Sequence, residues 1–306
     1  MKVKFWGVRG SIPVPGPETA RYGGNTSCLE ISGKNGECII LDSGTGIREL
    51  GQDLMKRGSP LPKIHLLISH THWDHIQGFP FFSPCYIPGT PIDIKGPVHY
   101  HESRSIRDVF DIQMQYEFFP ISNRQLDADI HYKTLDETAF KIGKIRVNTQ
   151  FTNHPVRCLA YRLEENGRAM VYACDHEPYY NLFKTDNEGE ENEENLLFAG
   201  VDETVKAANE RFVDFLQGAD LLVLDSQYTP EEYPALRRNW GHSSWDYCLE
   251  WKKAAGADRL VLTHHEPLRT DEQLDEIYVN VCRTAQEMGM DPEKIVMSKE
   301  GMELSI

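Results

Sequence analysis

The apolar run Ile64 to Ser69 ends directly at His70-Thr71-His72-Trp73-Asp74-His75, and this junction constrains the fold more than any other segment. Three imidazoles and a carboxylate within six residues cannot be a packing device, because each buried polar group would need its own partner. They are instead the ligands that borderline and hard divalent ions prefer. In a loop at the carboxyl end of a strand, alternating residues can face two adjacent ions. His70 and His72 would then serve one ion, and Asp74 and His75 the other.

The rest of the chain supplies strands and helices to support such a loop. Val3 to Gly7, Cys28 to Ile31 and Glu37 to Leu41 read as strands, and Ile47 to Arg57 has helical spacing after Gly44-Thr45-Gly46. Further strands are expected at Ile145 to Gln150, Leu159 to Leu163 and Ala169 to Cys174. Helix–strand alternation returns over Val205 to Leu216, Leu221 to Asp225, Ser244 to Ala255, Leu260 to Thr263 and Thr270 to Glu287. Between them, Pro80, Pro84, Pro88, Pro91 and Pro97 mark residues 76–145 as a loop-rich insertion, with a helix at Ser103 to Tyr116. Residues 181–200 form an acidic loop, in which 186–194 carry six carboxylates and read as a solvated segment. With no internal repeat or linker, one α/β domain over residues 1–306 is expected, long enough to bury a substantial core.

Composition narrows the setting. The formal charge of −15 repels long polyanions, so extended DNA or RNA is disfavoured as a partner, whereas a small anion at a metal site is not. The seven cysteines (Cys28, Cys38, Cys85, Cys158, Cys174, Cys248, Cys282) are odd in number and lack a C-x-x-C pair. They read as small buried side chains in a reducing compartment. No targeting segment or apolar run of membrane-spanning length is visible, so a cytoplasmic location with no membrane contact is expected.

The segment His70 to His75 resembles the H-x-H-x-D-H signature of the metallo-β-lactamase superfamily. That resemblance implies an αββα sandwich, two mixed β-sheets flanked by helices. It also implies further ligands at strand ends: His154 in Asn153-His154-Pro155, Asp175 as a metal-bridging carboxylate, and His264 after Leu260 to Thr263. The implied set is therefore His70, His72, Asp74, His75, His154, Asp175 and His264 around two divalent ions, zinc favoured, with manganese or iron as alternatives. His176 and His265 adjoin two of these, and strand alternation lets only one of each pair face the metals. Asp42 resembles the family's non-ligand aspartate that orients a metal-bound imidazole, and a turn-forming aspartate reads equally well. His65, His99, His101 and His131 have no partner in register and are given structural or surface roles.

Within the superfamily, three features resemble the RNase Z-like, phosphodiesterase branch. They are the opening Phe5 to Pro13 followed by Asn25-Thr26-Ser27, the motif Gly241-His242-Ser243-Ser244, and His154 followed by Ala160-Tyr161-Arg162. Asp74 and His242 are the candidate catalytic residues, with His242 as phosphate contact or acid. Arg9 is a candidate for a bidentate substrate-phosphate contact, with a surface or structural arginine reading equally well, and Ser11, Tyr22 and Asn25 are weaker substrate-binding candidates at the pocket rim. The acidic run 186–194 stands where RNase Z-type enzymes carry a basic arm, and His264-His265-Glu266-Pro267 also departs from RNase Z. The expectation is a dinuclear phosphodiesterase for a small phosphodiester, a cyclic nucleotide or cyclic dinucleotide, acting through a metal-bridging hydroxide. RNase Z-like cleavage of RNA, lactonase- or glyoxalase-like acyl hydrolysis, and a non-catalytic metal-stabilised scaffold are the rivals. RNase Z-like relatives are often dimers, so a homodimer is compatible.

Overall fold

Alternation along strands decides which apolar side chains share a layer, and here it builds two sheets with three separate apolar layers. The computed structural model describes residues 1–97, 104–182, 199–233 and 237–306. The first sheet runs β14-β1-β2-β3-β4-β5-β6. Its strands are β1 (Lys2–Gly7), β2 (Cys28–Ser32), β3 (Cys38–Leu41), β4 (Ile64–Leu67), β5 (Pro91–Pro97), β6 (Asp129–Leu135) and β14 (Glu303–Ser305). The second runs β13-β12-β11-β10-β9-β8-β7. It is built from β7 (Ala139–Ile142), β8 (Ile145–Phe151), β9 (Leu159–Glu165), β10 (Arg168–Ala173), β11 (Leu221–Asp225), β12 (Arg259–Thr263) and β13 (Ile295–Met297). Both sheets are mixed: β3 to β6 pair in parallel, as do β10 to β13, and the remaining neighbours are antiparallel.

Between the sheets, Phe5, Ile31, Ile39 and Leu41 meet Val147, Leu163, Met170, Tyr172, Val223 and Val261. The alternate residues point outward. Ile40 and Leu66 pack under α1 (Ile47–Arg57) and α3 (Ile106–Gln113) through Ile47, Leu50, Leu54, Ile106 and Phe110. Leu222, Leu224, Leu260 and Leu262 pack under α4 (Ala199–Leu216), α5 (Trp245–Ala254) and α6 (Asp271–Glu287). Each fully buried aliphatic or aromatic side chain contributes about 1.5–3 kcal/mol relative to exposure, so these three layers fix both sheets. The result is the expected αββα sandwich.

Residues 76–145 depart from the loop-rich insertion expected of them. They carry β5, β6, β7 and α3, and β5 and β6 complete the edge of the first sheet. The prolines misled because Pro91 and Pro97 stand at the first and last positions of β5, where proline is tolerated. The helix expected at Ser103 to Tyr116 is shorter, with Ser105 accepting from the Asp108 amide as its N-cap. All seven cysteines are free, and six are buried. No helix among the described residues is long and apolar enough to cross a membrane. The acidic run 186–194, His99 and His101 lie outside the described residues.

Candidate metal centre

Strand ends deliver the site. β4 leads through Ser69 to His70 and His72, and the short helix α2 (Trp73–Ile76) carries Asp74 and His75. β8 leads to His154, β10 to Asp175 and β12 to His264. The structure brings all seven side chains together.

The two oxygens of Asp175 divide the cluster. Oδ2 lies 3.3 Å from His70 Nε2 and 3.7 Å from His154 Nε2, while His72 Nδ1 is 3.0 Å from His154 Nε2. Oδ1 lies 3.3 Å from His75 Nε2 and 3.4 Å from His264 Nε2. Asp74 Oδ2 closes that second set, 3.3 Å from His75 Nε2 and 3.2 Å from His264 Nε2. Bonds of about 2.0–2.1 Å to a tetrahedral ion place neighbouring ligand atoms about 3.3–3.4 Å apart, close to these spacings. His70 Nε2 and Asp175 Oδ1 are buried without a hydrogen-bond partner, a costly state that a cation relieves. The donor set thus fits two divalent ions: a first position at His70, His72, His154 and Asp175, and a second at Asp74, His75, Asp175 and His264. Cys174 Sγ belongs with the second set by distance, within 4.8 Å of the ligand atoms of His75, Asp175 and His264.

Surrounding groups fix three of the rings. His75 Nδ1 donates to Asp42 Oδ2 (2.8 Å), His154 Nδ1 to the Gly241 carbonyl (2.9 Å) and His264 Nδ1 to Gln227 Oε1 (3.1 Å). Each bond leaves Nε2 free as the ligand atom. Asp42 is therefore an orienting group as well as a turn residue with φ 62°. Its carboxylate also accepts from the Ser69 amide (2.6 Å), the Ser69 hydroxyl (2.8 Å) and the Tyr172 hydroxyl (2.7 Å). His264 sits at φ 62°, and its ring lies so close to Gly10 that a Cβ there would be 2.5 Å from two ring atoms. Close approach explains that glycine.

Electrostatics agree with ligation. Burial pushes His70 well below the ordinary imidazole pKa and His154 down to about 4, which leaves both neutral and able to coordinate. Burial opposes charge on His75 as well, yet Asp175, Asp74 and Asp42 raise its pKa well above the usual value. A proton there balances the carboxylates, and a cation would displace it. Asp74 and Asp175 resist burial and stay well below the usual carboxylate range, held by His75 and His264.

His242 stands at the edge of the cluster, its ring stacked 4.9 Å from His264 at 20°. Its Nδ1 donates to Asp225 Oδ2 at 2.8 Å and lies 3.9 Å from Asp175 Oδ2. Burial lowers its pKa, but Asp225 outweighs burial and lifts it to about 9, so the Asp225 carboxylate favours the protonated ring. Sequence reasoning missed Asp225. The available signal was that β11, like the ligand-bearing strands, is an apolar run ending in a polar residue.

The neighbouring histidines face elsewhere. His176 stacks 3.7 Å from Phe212, and its Nδ1 accepts the Asn153 amide at 3.1 Å. His265 donates through Nε2 to the Ser298 carbonyl at 2.8 Å. His65 and His131 lie beside Asp93 and Asp129, away from the centre.

Arg9 requires a correction. It is fully buried, donates to the carbonyls of Gly23 (2.9 Å) and Arg269 (2.8 Å) and pairs with Asp271 at 3.5 Å. It ties the N-terminal loop to the start of α6, so its guanidinium is not available to a substrate phosphate. Asn25 is committed to Glu300, its Nδ2 donating at 3.1 Å, and the Tyr22 hydroxyl donates to Asp275 at 2.9 Å. Ser11 is at the centre through its backbone: its amide donates to Asp74 Oδ2 at 2.7 Å. Beside His154 and Gly241, a cleft of about 470 Å³ opens between Asn153, Glu177, Tyr179 and Tyr180.

With this geometry established, comparison with known proteins places the chain. Residues 38–265 match the family model for the beta-lactamase superfamily domain. A Ribonuclease Z from Lactococcus lactis is 25% identical over 290 residues, spanning 86% of this chain and 88% of that protein. Among solved structures, the metallo-beta-lactamase fold protein YhfI from Bacillus subtilis aligns with a TM-score of 0.64 at 18% identity, covering 99% of this chain and 98% of that one. Human tRNase Z, short form, aligns at 0.61 with 21% identity, covering 100% and 99%.

Proposed function

The chain belongs to the metallo-β-lactamase superfamily, on its RNase Z-like branch, and we propose that it is a dinuclear metal-dependent phosphodiesterase for a small phosphodiester, a cyclic nucleotide or cyclic dinucleotide being the favoured class. The observation that carries this reading is the Asp225–His242 pair, an imidazole held by Asp225 at 2.8 Å and placed 3.9 Å from the Asp175 carboxylate. Acyl hydrolysis has no evident use for a proton donor placed there, whereas a phosphoryl group in transfer gathers negative charge on its oxygens.

When bound, two divalent ions at this centre supply an acidified water and neutralise charge on the phosphoryl oxygens. The chain's own residues do the rest. Asp175 spans both positions, and Asp42, Gly241 and Gln227 hold the imidazoles with Nε2 inward. His242 keeps its Nδ1 proton on Asp225, which leaves Nε2–H to contact a phosphoryl oxygen or to protonate the leaving alkoxide.

Small size is favoured by the net charge of −15 and by the acidic run 186–194 between Asp175 and His242, which a long polyanion would avoid. The relative named Ribonuclease Z supports short RNA as the second reading. Zinc suits the histidine-rich donor set, and a cytoplasmic setting suits seven free cysteines.

The test is turnover of bis(p-nitrophenyl) phosphate and of p-nitrophenyl acetate by zinc-loaded protein, followed by a cyclic-nucleotide screen. Zinc-dependent phosphodiester cleavage, cut about 100-fold or more in His242→Ala, is expected. Ester hydrolysis without phosphodiester turnover would replace this reading with an acyl hydrolase.

A further inference from the structure

Glu177 lies two residues beyond the bridging Asp175 and is buried, yet it belongs to neither metal set. Its carboxylate collects three donors instead. Oε1 accepts the Tyr233 hydroxyl and the Asn239 amide, both at 2.8 Å, and Oε2 accepts the Gly241 amide at 2.9 Å. Asn239 and Gly241 both sit at positive φ, 73° and 82°. Amides brought together by such a turn form a concavity for an anion, and here the anion is a side chain of the protein itself.

The segment that Glu177 grips reaches both halves of the site. The Gly241 carbonyl accepts from His154 Nδ1 at 2.9 Å, so this one residue gives its N–H to Glu177 and its C=O to a metal ligand. A Cβ at Gly241 would lie 2.3 Å from His154 Nδ1, which shows how closely the loop is pressed against that ring. His242 is the next residue, its Nδ1 2.8 Å from Asp225. The main chain of Glu177 holds the opposite side, its amide donating at 2.9 Å to the carbonyl of Asn153, the residue before His154. Glu177 therefore ties the end of β8, the end of β10 and the His242 loop at one point.

We propose that Glu177 is a positioning residue for the metal centre: it holds Gly241 so that the carbonyl there turns His154 Nε2 toward the first ion, and so that His242 stays beside Asp175. This rests on the two-ion hydrolase reading above. A glutamine is nearly the same size but has a single acceptor oxygen. With that oxygen on Gly241, the Asn239 amide faces an NH₂ group, and with it on Asn239, the Gly241 amide does. Either way the loop loses one of its two backbone anchors and a buried donor is left unmet. An imidazole whose orienting partner is disturbed binds metal about 10–100-fold more weakly, and a displacement of about 1 Å at a reacting group costs about 100-fold in rate.

The test is a double-mutant cycle on the full chain. Zinc affinity is measured by chelator competition for wild type, Glu177→Gln, His154→Ala and the two together, with bis(p-nitrophenyl) phosphate kinetics at saturating zinc in parallel. Glu177→Gln should weaken one of the two zinc equivalents about 10–100-fold and leave the other within about threefold. In the His154→Ala background the same substitution should cost less than about threefold, because the group it acts through is gone. Its kcat should fall at least about tenfold with KM little changed. Equal zinc losses in both backgrounds, or a loss spread over both equivalents, make Glu177 a general stabiliser of the fold and overturn the assignment. A raised KM with kcat intact places it at the substrate cleft that it also lines, and overturns it too. If Glu177→Gln does not fold, Glu177→Asp, which keeps both oxygens one methylene back, takes its place in the cycle, and failure of both to fold overturns the proposal. Wild-type zinc binding without phosphodiester turnover fails the hydrolase reading alone, since the zinc cycle still reads the coupling between Glu177 and His154.

Discussion

Asp42→Asn is the sharpest probe of how the second metal position is held. The carboxylate is fully buried. Oδ1 accepts the Ser69 amide, and Oδ2 accepts the Ser69 hydroxyl, His75 Nδ1 and the Tyr172 hydroxyl. An asparagine adopts the same φ of 62° without added strain, so the backbone is unperturbed. Its single oxygen can take only one side of this arrangement. Turned toward His75 and Tyr172, it leaves the Ser69 N–H facing an NH₂ group, with two buried donors unmet. At about 1–3 kcal/mol each, the expected loss is about 2–6 kcal/mol. Urea unfolding of the metal-stripped variant reads that loss without the contribution of metal binding. Chelator competition should in addition show about 10–100-fold weaker zinc binding at the second position, because the orienting partner of His75 changes from a carboxylate to a neutral amide oxygen. A stability change under about 0.5 kcal/mol with unchanged zinc affinity would refute the reasoning.

Asp225→Asn removes the group that lifts His242 to about 9. A raised pKa keeps the imidazolium populated below that value and loses it above, so wild-type phosphodiesterase activity should fall as pH rises through about 9. In the variant the alkaline limb should move toward the ordinary histidine value of about 6.5, and an unmoved limb would detach His242 from the chemistry. Gly10→Ala drives a Cβ to within 2.5 Å of the His264 ring. Zinc calorimetry should show the second equivalent weakened at least about tenfold by the displaced ligand, and an unchanged two-site isotherm would contradict the packing. His176 and His265 are each pushed down to about 3 by burial. The metal-stripped protein should therefore lose stability as pH falls from about 6.5, where the unfolded chain begins to take up protons, toward 3. The expected slope is about 1.4 kcal/mol per pH unit for each histidine, read from urea midpoints, and His265→Gln should reduce that slope.

The individual strands and helices were legible because strongly apolar runs carry their own period, whereas the sandwich and the ligands beyond His75 were implied by the resemblance of His70 to His75 to a known signature. Ile47–Arg57 and Leu221–Asp225 have the bounds the sequence suggested. β13 and β14 span three residues each, too few to show alternation. β5 was obscured by prolines that tertiary pairing accommodates at its ends. Arg9 misled for a physical reason: its partners are backbone carbonyls of Gly23, Glu266 and Arg269, and remote carbonyls leave no trace in a sequence. Asp225 was missed because it binds a histidine rather than standing in the ligand set.

The central claim is that Asp175 joins two metal positions into one catalytic unit. The direct test is to add zinc in measured equivalents to metal-stripped protein and follow both bound metal and bis(p-nitrophenyl) phosphate turnover. Activity that stays low through the first equivalent and climbs to a plateau at the second is the predicted result. A plateau at one equivalent, or two bound ions without phosphodiester turnover, would contradict it.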